Sequence, residues 1–195
     1  MIEKIILASK SKVRKEILHS NNIKCIVVPS NIDEDVIKTS LTKIKASPEV
    51  ISKNLAELKA SKVSLKHEDQ MVLGADSVID LEGNIISKPS NRGEALKILK
   101  LLNGKSHKLI SSVCICKNGN MIWNYTDKAT LMMKNFSVKE LEDYLSKISD
   151  EALYSYNVYQ IESLGKTLFS KIEGDENTIM GLPIIKIKEY LENYN

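Results

Sequence analysis

KIILASKSKVR (residues 4–14) joins a predicted strand to a predicted helix, and this junction decides the class of fold. Lys4–Ala8 contains an apolar run typical of a strand that is buried on both faces. From about Ser11 onward, apolar side chains such as Val13 and Ile17 recur at helical spacing. A buried strand that leads directly into a helix is the first half of an α/β unit.

The rest of the sequence alternates strands with helices and adds hairpins, which predicts an α/β fold with a mixed β-sheet flanked by helices. We expect a single domain over residues 1–195, with two lobes and a central cleft. Ser30–Lys45 is polar, lacks a firm period and is predicted to be loop. Further strands are predicted over Ile23–Val28, Met71–Asp80, Ile85–Ile86, Lys108–Cys116, Met121–Met133 and Leu168–Ile172. Further helices are predicted over Ser47–Leu65, from Ser90 or Asn91 to Gly104, from Ser137 to Ile148 and after Pro183.

The composition is that of a globular chain without signs of export or of a membrane span. Of its 195 residues 43% are hydrophobic, and eight Gly and four Pro are too few for a disordered or linker-rich protein. No apolar run reaches the roughly 18 residues of a membrane helix. The three Cys are odd in number and lack a C-x-x-C pair, so neither a disulfide framework nor a zinc site is predicted. We therefore expect a cytoplasmic location.

The charge balance argues against a nucleic-acid polymer as partner. Lys and Arg total 28 against 25 Asp and Glu, which gives a formal net charge of +3. Arg14 and Arg92 are the only arginines, and no basic stripe is interleaved with Phe and Tyr as in RNA-binding surfaces. We expect most lysines to be solvated, and we expect neither a nucleic acid nor a membrane as partner.

Hydroxyls and cations cluster where the first strand gives way to its helix, at Ser9, Ser11 and Arg14. A helix N-terminus favours an anion, because its first N–H groups are unpaired and its dipole is positive there. Taken alone, however, the same residues favour an ordinary serine cap followed by a solvated basic face. The motif GxxxxGK[ST] is absent, so this junction is not a P-loop.

Asp76 lies inside the apolar strand Met71–Asp80, a position that does not favour folding. A buried carboxylate is unfavourable unless it finds partners. Its functional interpretation is a general base or metal ligand held on a rigid strand. The alternative is an edge bulge, which Gly74 would permit. We favour function, because small residues beside Asp76 leave room for a ligand.

Three consecutive carboxylates, Asp33, Glu34 and Asp35, occur in the predicted loop. One or two carboxylates together with substrate phosphates commonly hold Mg²⁺, although an acidic loop taken alone is more often plain solvated surface. Lys59 on a helix and Lys88 after a hairpin suit a polyphosphate, because the lysine ammonium binds phosphate as a point charge. In so lysine-rich a chain, either residue taken alone is far more typical of a solvated surface position.

Several of these residues fall in motifs that resemble those of the Maf family of nucleoside triphosphate pyrophosphatases. The N-terminal motif has the form Ile-Leu-Ala-Ser-x-Ser-x-x-Arg-x-Glu-Ile-Leu. The resemblance runs in order over nearly the whole chain, and the motifs are specific as a set. The matching segments are Ile6–Leu18, Leu73–Val78, Ser87–Pro89, Ala95–His107, Tyr159–Glu162, Ile172–Asp175 and Met180–Pro183.

The resemblance implies a hydrolase that cleaves a nucleoside triphosphate to the monophosphate and diphosphate with the aid of a divalent cation, Mg²⁺ or Mn²⁺. It implies dTTP, UTP or modified nucleotides as substrates, a fold like that of the Maf and ITPase pyrophosphatases, and a homodimer. It also implies a link to the exclusion of non-standard nucleotides from nucleic acids and to arrest of cell division.

The resemblance further implies roles for eight residues. Asp76 would be the proton acceptor that activates water. Glu34 and Asp76 would hold the metal. The substrate would be bound by Ser9, Ser11, Arg14, Lys59, Lys88 and Glu162.

Three positions depart from the family pattern. Lys12-Val13 stands where the family has Pro-Arg, and a lysine does not reproduce a bidentate guanidinium. The lysine usual before the closing tyrosine is replaced by Ser155 or a neighbour, and Glu162 stands in place of Gln. These departures keep two alternatives open, a pyrophosphatase for nucleotides such as 7-methyl-GTP and a weakly catalytic nucleotide-binding regulator of division.

Overall fold

The computed structural model describes residues 4–155 and 158–194, except for the side chains of residues 151, 154 and 155. Within these ranges the chain forms seven strands and eight α-helices, with a short 3-10 helix at Leu164–Leu168. The strands are β1 (Ile5–Leu7), β2 (Cys25–Val27), β3 (Val72–Leu81), β4 (Asn84–Ile86), β5 (Ser106–Lys117), β6 (Asn120–Met133) and β7 (Phe169–Glu173). The helices are α1 (Lys12–Ser20), α2 (Glu34–Lys43), α3 (Pro48–Ser64), α4 (Arg92–Leu102), α5 (Val138–Ser146), α6 (Asp150–Ser155), α7 (Glu176–Ile179) and α8 (Ile184–Asn193).

The described strands form one mixed sheet in the order β2-β1-β3-β5-β6-β7, with β4 paired to β3. β1 runs parallel to β2 and to β3, and the remaining pairings among the described strands are antiparallel. Parallel neighbours need a crossover, which α1 supplies between β1 and β2, and α2 with α3 between β2 and β3. The predicted mixed sheet flanked by helices is confirmed.

The parallel pairing of β1 with β3 is short, and this leaves part of β3 open on one side. Ile6 pairs with Val72 and Leu7 with Leu73, after which β3 continues alone to Leu81. Residues 74–78 of β3 pair with β5, and β4 joins the other side only from Ile79. Ligands of α/β proteins bind beyond the carboxyl ends of parallel strands at such breaks, so this edge marks the position of a site.

Gly74 allows α3 to lie directly on β3. A Cβ at this position would clash with the Ala56 carbonyl oxygen and lie 2.7 Å from the Ala60 amide nitrogen. β3 passes through Gly74 with an unbroken register to β5, so the alternative of an edge bulge is wrong. Gly74 is small because a helix backbone packs against it.

The prediction of a loop over Ser30–Lys45 is wrong, because Glu34–Lys43 forms α2. Asp33 begins the helix by accepting the Val36 amide on its carboxylate at 3.1 Å. None of the α2 side chains is fully buried, so the segment lacks the apolar stripe by which a helix is recognised. Asp33 is therefore a capping residue, and Asp35 is exposed on the first turn.

Helix α3 begins where the sequence predicts, with the Ser47 hydroxyl accepting the Val50 amide at 3.3 Å. Helical spacing predicts that Val50, Leu55, Leu58 and Val63 all face inward. Leu55 and Val63 are buried, but Val50 and Leu58 are 43% and 42% exposed, so half of that prediction is wrong. Small or polar side chains complete the buried face, since α3 packs closely on β3; they are Ser52, Ala56, Lys59, Ala60 and Ser64.

Several helix starts and one hairpin turn lie where local sequence signals predict them. The capping box is confirmed at α5, where Ser137 and Glu140 each accept the backbone N–H of the other. Asn91 caps α4 by accepting the Glu94 amide at 2.9 Å. The Asn118-Gly119 hairpin joins β5 to β6, with both residues at the positive φ that a tight turn requires. The helices α6 and α7 and the 3-10 helix were not predicted from the sequence.

The apolar core is divided between the two ends of the long strands. One cluster, with Leu99 and Leu141, lies where α4 and α5 pack on β5 and β6. At the other end, one cluster containing Leu73 lies beneath α1 and α8, and another containing Val72 lies beneath α3. The division into two lobes with a central cleft stays a prediction. Among the described residues, no helix is long and apolar enough to cross a bilayer.

Candidate active site

A cavity of about 470 Å³ opens beside the unpaired edge of β3. Its walls come from the β1–α1 loop, from the β2–α2 loop and the start of α2, from α3, from the segment before the 3-10 helix, and from the end of α7 with the residues that follow it. The structure brings together in this cavity the eight residues for which the sequence predicts roles: Ser9, Ser11, Arg14, Glu34, Lys59, Asp76, Lys88 and Glu162.

Asp76 is held on β3 with one carboxylate oxygen engaged and the other open. The side chain is buried, with the residue 3% exposed. Its Oδ1 accepts a hydrogen bond from Lys59 Nζ at 2.8 Å, whereas Oδ2 is buried without a hydrogen-bond partner. A buried oxygen with free lone pairs is available to accept a proton or to ligate a cation.

Lys59 lies between two carboxylates. Its buried ammonium also forms an ion pair with Glu34 Oε1 at 3.0 Å. Burial alone raises the pKa of Glu34, but Lys59, with Lys38 and Lys88, outweighs this effect and holds the Glu34 pKa below its usual value. The prediction that Lys59 faces phosphate therefore needs a qualification, because two of its three donors already point at Asp76 and Glu34.

Arg14 binds other parts of the protein around the site. Its Nε donates to the Gly181 carbonyl at 2.9 Å, and its Nη1 donates to the Ala75 carbonyl at 2.9 Å and to the Ser9 hydroxyl at 3.3 Å. Its Nη2 donates to the Ser77 hydroxyl at 3.1 Å. Burial lowers the Arg14 pKa and Asp76 opposes that shift, but arginine stays charged. Arg14 thus ties α1 to β3 and to the segment after α7.

Ser9 and Ser11 organise the start of α1. Ser11 is the N-cap and accepts the Arg14 amide at 3.3 Å, so the capping interpretation is confirmed for this residue. Ser9 accepts the Ser11 amide at 3.2 Å. Both residues also line the cavity, and the positive end of α1 therefore faces it.

The cavity contains more cations than anions. Lys88 is exposed at its mouth, yet limited hydration lowers the Lys88 pKa, and repulsion by Arg14 lowers it further. Cations that repel one another in this way favour the binding of an anion. The lining cations are Lys10, Lys12, Arg14, Lys38, Lys59 and Lys88, and the lining anions are Glu34, Asp76 and Glu162.

One part of the cavity wall is largely apolar. It is formed by Leu109, Tyr159, Ile161, Ile179 and Met180. Gln160 and the exposed Glu162 add hydrogen-bonding groups to this wall. A cavity that combines several cations with an apolar surface fits an amphipathic anion better than a simple ion.

His107 supports this wall from behind. Its Nε2 is 2.9 Å from the Tyr159 hydroxyl, and its ring packs against Tyr159 and Phe169. His107 is 2% exposed, its Nδ1 has no partner, and burial lowers its pKa from 6.5 to about 4. The folded protein therefore holds this imidazole neutral.

We expect this histidine to reduce stability in acid. Between pH 6.5 and 4 the unfolded chain binds a proton at His107 that the folded chain does not, so stability falls as the pH falls, by up to about 3 kcal/mol. Urea unfolding of His107→Gln should show a correspondingly shallower decline between pH 7 and pH 4 than the unsubstituted chain. The control is His19→Gln, since His19 is exposed on α1, and an equally shallow decline in that control would contradict the assignment to His107.

The carboxylates of the cavity are the donors that a metal ion could use. No group of three or more His, Cys, Asp and Glu side chains that could hold a metal occurs in the described part of the chain. Asp76 and Glu34 nevertheless both face the cavity, and Asp76 Oδ2 is an open oxygen. Two carboxylates fit a hard cation that takes its other ligands from substrate phosphates and water.

Some lining residues were not predicted. Lys38 lies on α2, in the segment predicted as loop, and carries no motif that distinguishes it from surface lysines. Tyr159 and Met180 lie inside the recognised motifs, but nothing in their residue types indicated a cavity wall. The missing family lysine falls at residues 155–157, outside the side chains that the structure describes.

The chain is similar in sequence to one described protein family and to several named proteins. The sequence model of the family described as Maf-like protein matches residues 4–194. The chain is 68% identical over 192 residues to a nucleoside triphosphate pyrophosphatase of Pelagibacter ubique (strain HTCC1062), with 98% of each chain covered. It is 38% identical over 187 residues to one of Caulobacter vibrioides, with 96% of this chain and 94% of that one covered. The Ham1 protein of Staphylococcus aureus aligns over 97% of this chain and 98% of its own, with 12% identity and a TM-score of 0.42.

Proposed function

This chain belongs to the Maf family, and we propose that it hydrolyses the bond between the α- and β-phosphates of a nucleoside triphosphate. The observation that carries the proposal is Asp76, a buried carboxylate with an open oxygen inside a cation-rich cavity. A carboxylate of this kind activates water, and cations stabilise a triphosphate and its leaving group. The relatives that carry the name nucleoside triphosphate pyrophosphatase support the same reaction.

In this proposal the triphosphate lies across the positive side of the cavity. The N-terminus of α1 and the hydroxyls of Ser9 and Ser11 face one end of it. Lys88 at the mouth neutralises phosphate charge. Arg14 adds positive potential and rigidity, because four of its five N–H groups bind protein atoms.

The nucleoside occupies the other side of the cavity. Tyr159, Ile161 and Met180 offer an apolar surface for the base and sugar. Glu162 is a hydrogen-bond acceptor at the rim of that surface. Substrates of the dTTP and UTP type and modified nucleotides are the proposed class, with 7-methyl-GTP as the alternative.

Asp76 takes the proton of the attacking water. The water oxygen forms a bond to the α-phosphorus while its proton passes to Asp76 Oδ2. The bond from the α-phosphorus to the bridging oxygen breaks, and diphosphate leaves with the electron pair of that bond. Lys59, bound to Asp76 Oδ1 at 2.8 Å, orients the carboxylate so that the open oxygen faces the cavity. The lysines of the cavity stabilise the charge on the diphosphate.

Asp76 and Glu34 are the residues that would hold a divalent cation, Mg²⁺ or Mn²⁺. When bound, such a cation supplies charge stabilisation to the phosphate oxygens as a Lewis acid. Lys59 separates the two carboxylates in the absence of a ligand and limits their mutual repulsion.

The test is multiple turnover with a panel of triphosphates in Mg²⁺ or Mn²⁺. The panel contains dTTP, UTP, ATP, GTP and 7-methyl-GTP. We expect equal amounts of monophosphate and diphosphate from at least one of them, and a preference for 7-methyl-GTP would favour the alternative substrate. Binding of one equivalent without product would contradict the enzyme and support the nucleotide-binding regulator.

A further inference from the structure

A row of polar side chains crosses three neighbouring strands beneath α7. Ser77 of β3 pairs with Ser111 of β5, and Ser111 pairs with Asp127 of β6. Residues that pair directly across strands share a face of the sheet. Ser111 is 0% exposed, so its hydroxyl is an interior polar group that needs partners.

The hydrogen bonds of this row have only one possible direction. The Ser111 hydroxyl donates to the Thr178 carbonyl at 2.7 Å, because a carbonyl can only accept. Its single proton is then used, so at 2.8 Å the Ser77 hydroxyl must be the donor to Ser111. Ser77 in turn accepts from Arg14 Nη2 at 3.1 Å. These three hydrogen bonds run from the guanidinium through two hydroxyls to a carbonyl, and each bond polarises the next.

The hydrogen bonds at the Thr178 end of this row fix the position of one cavity wall. Thr178 is buried in α7, and its own hydroxyl donates to Asp127 Oδ2 at 2.7 Å. Ile179, Met180 and Gly181 follow directly and line the cavity. Arg14 fixes the same segment a second time through its bond to the Gly181 carbonyl at 2.9 Å. The position of this wall thus depends on the polar row and on Arg14.

We propose that Ser111 is a positioning residue that sets the cavity wall at residues 178–181 and the orientation of the Ser77 hydroxyl. It lies outside the cavity and touches neither substrate nor reacting atoms. The proposal rests on the proposed function, since it concerns binding of the same triphosphate. Asp76 and Lys59 meet on the opposite face of β3 from the row, so loss of the Ser111 hydroxyl affects substrate binding more than the chemical step.

The test compares Ser111→Ala with Ser64→Ala. Ser64 is also 0% exposed, and its hydroxyl also makes two bonds, accepting the Gly119 amide and donating to the Ser61 carbonyl, each at 2.9 Å. Both variants should lose stability. Ser111→Ala alone should raise KM, and the Kd of an α,β-imido triphosphate analogue, by about 5- to 10-fold with kcat within about twofold.

Ser111→Cys provides a second variant of nearly the same shape, with a weaker donor, and carries the test if the alanine variant does not fold. Its KM should lie between those of the unsubstituted chain and Ser111→Ala. Unchanged KM and Kd in the Ser111 variants, or equal increases in Ser64→Ala, would overturn the positioning role. If the unsubstituted chain binds the analogue but hydrolyses no triphosphate, the proposed reaction fails and the Kd values still decide the role of Ser111. If it binds no triphosphate, both proposals fail.

Discussion

Replacing Lys59 with Met is expected to reduce the free energy of unfolding by about 3 kcal/mol or more at pH 7. Met keeps most of the length and apolar volume of the lysine but removes its charge. Asp76 then loses the donor at 2.8 Å to its Oδ1, and Glu34 loses the ammonium at 3.0 Å. The buried Asp76 carboxylate is left without an opposite charge in direct contact, which is the unfavourable half of a broken buried ion pair.

The matched control is Lys53→Met on the same helix. Lys53 is exposed and forms an ion pair with Glu49 at 3.0 Å. Exposed pairs of this kind contribute up to about 1 kcal/mol, so urea unfolding should separate the two variants clearly. A loss in Lys59→Met no larger than that in Lys53→Met would contradict the structural role of Lys59.

The destabilisation by Lys59→Met should also shrink in mild acid. Lys59 holds the Glu34 pKa below its usual value, whereas burial of Glu34 by itself raises that pKa. The folded variant therefore takes up a proton at Glu34 at a higher pH than the folded unsubstituted chain does, so the stability of the variant relative to the unsubstituted chain rises as the pH falls from 7 to about 4.5. Lys53→Met should show a smaller change over the same interval, because the ion pair that it removes, Lys53 with Glu49, is solvated.

The local signals of the sequence specified much of the fold. The apolar run and helical spacing after residue 4 gave the first strand and helix, and Ser47, Asn91 and Ser137 capped helices as expected. These features depend on residues close together in sequence, so they are readable from it. Helix α2 was missed, because none of its side chains is fully buried and it therefore has no buried apolar stripe.

Which residues form the site could be predicted from the sequence, but the hydrogen bonds and ion pairs among them could not. The motifs that resemble the Maf family contain most of the residues that line the cavity. That Lys59 binds Asp76, or that Arg14 binds carbonyls and hydroxyls, depends on how α3 and α1 pack on β3. The role of Ser111 follows from strand register and from Thr178, 67 positions away, and a lone serine in an apolar strand carries no such signal.

Replacing Asp76 with Asn is expected to lower kcat for diphosphate release by about 10²- to 10⁴-fold, the usual contribution of a positioned general base. The amide has nearly the same shape, and its oxygen can still accept the hydrogen bond from Lys59. It cannot take a proton from water, so the chemical step is lost while the fold and the cavity remain. Circular dichroism and binding of the α,β-imido analogue check that the variant is folded and binds nucleotide.

Asp80→Asn is the control, since it makes the same change on the same strand. Asp80 is half-buried, and its Oδ1 accepts the Gly83 amide at 2.8 Å at the β3–β4 turn. Rates of diphosphate release at saturating substrate, measured for both variants and for the unsubstituted chain, test the central claim most directly. We predict near-normal kcat for Asp80→Asn and a loss of at least about 100-fold for Asp76→Asn. A folded Asp76→Asn variant that releases diphosphate within about tenfold of the normal rate would show that Asp76 is not the base.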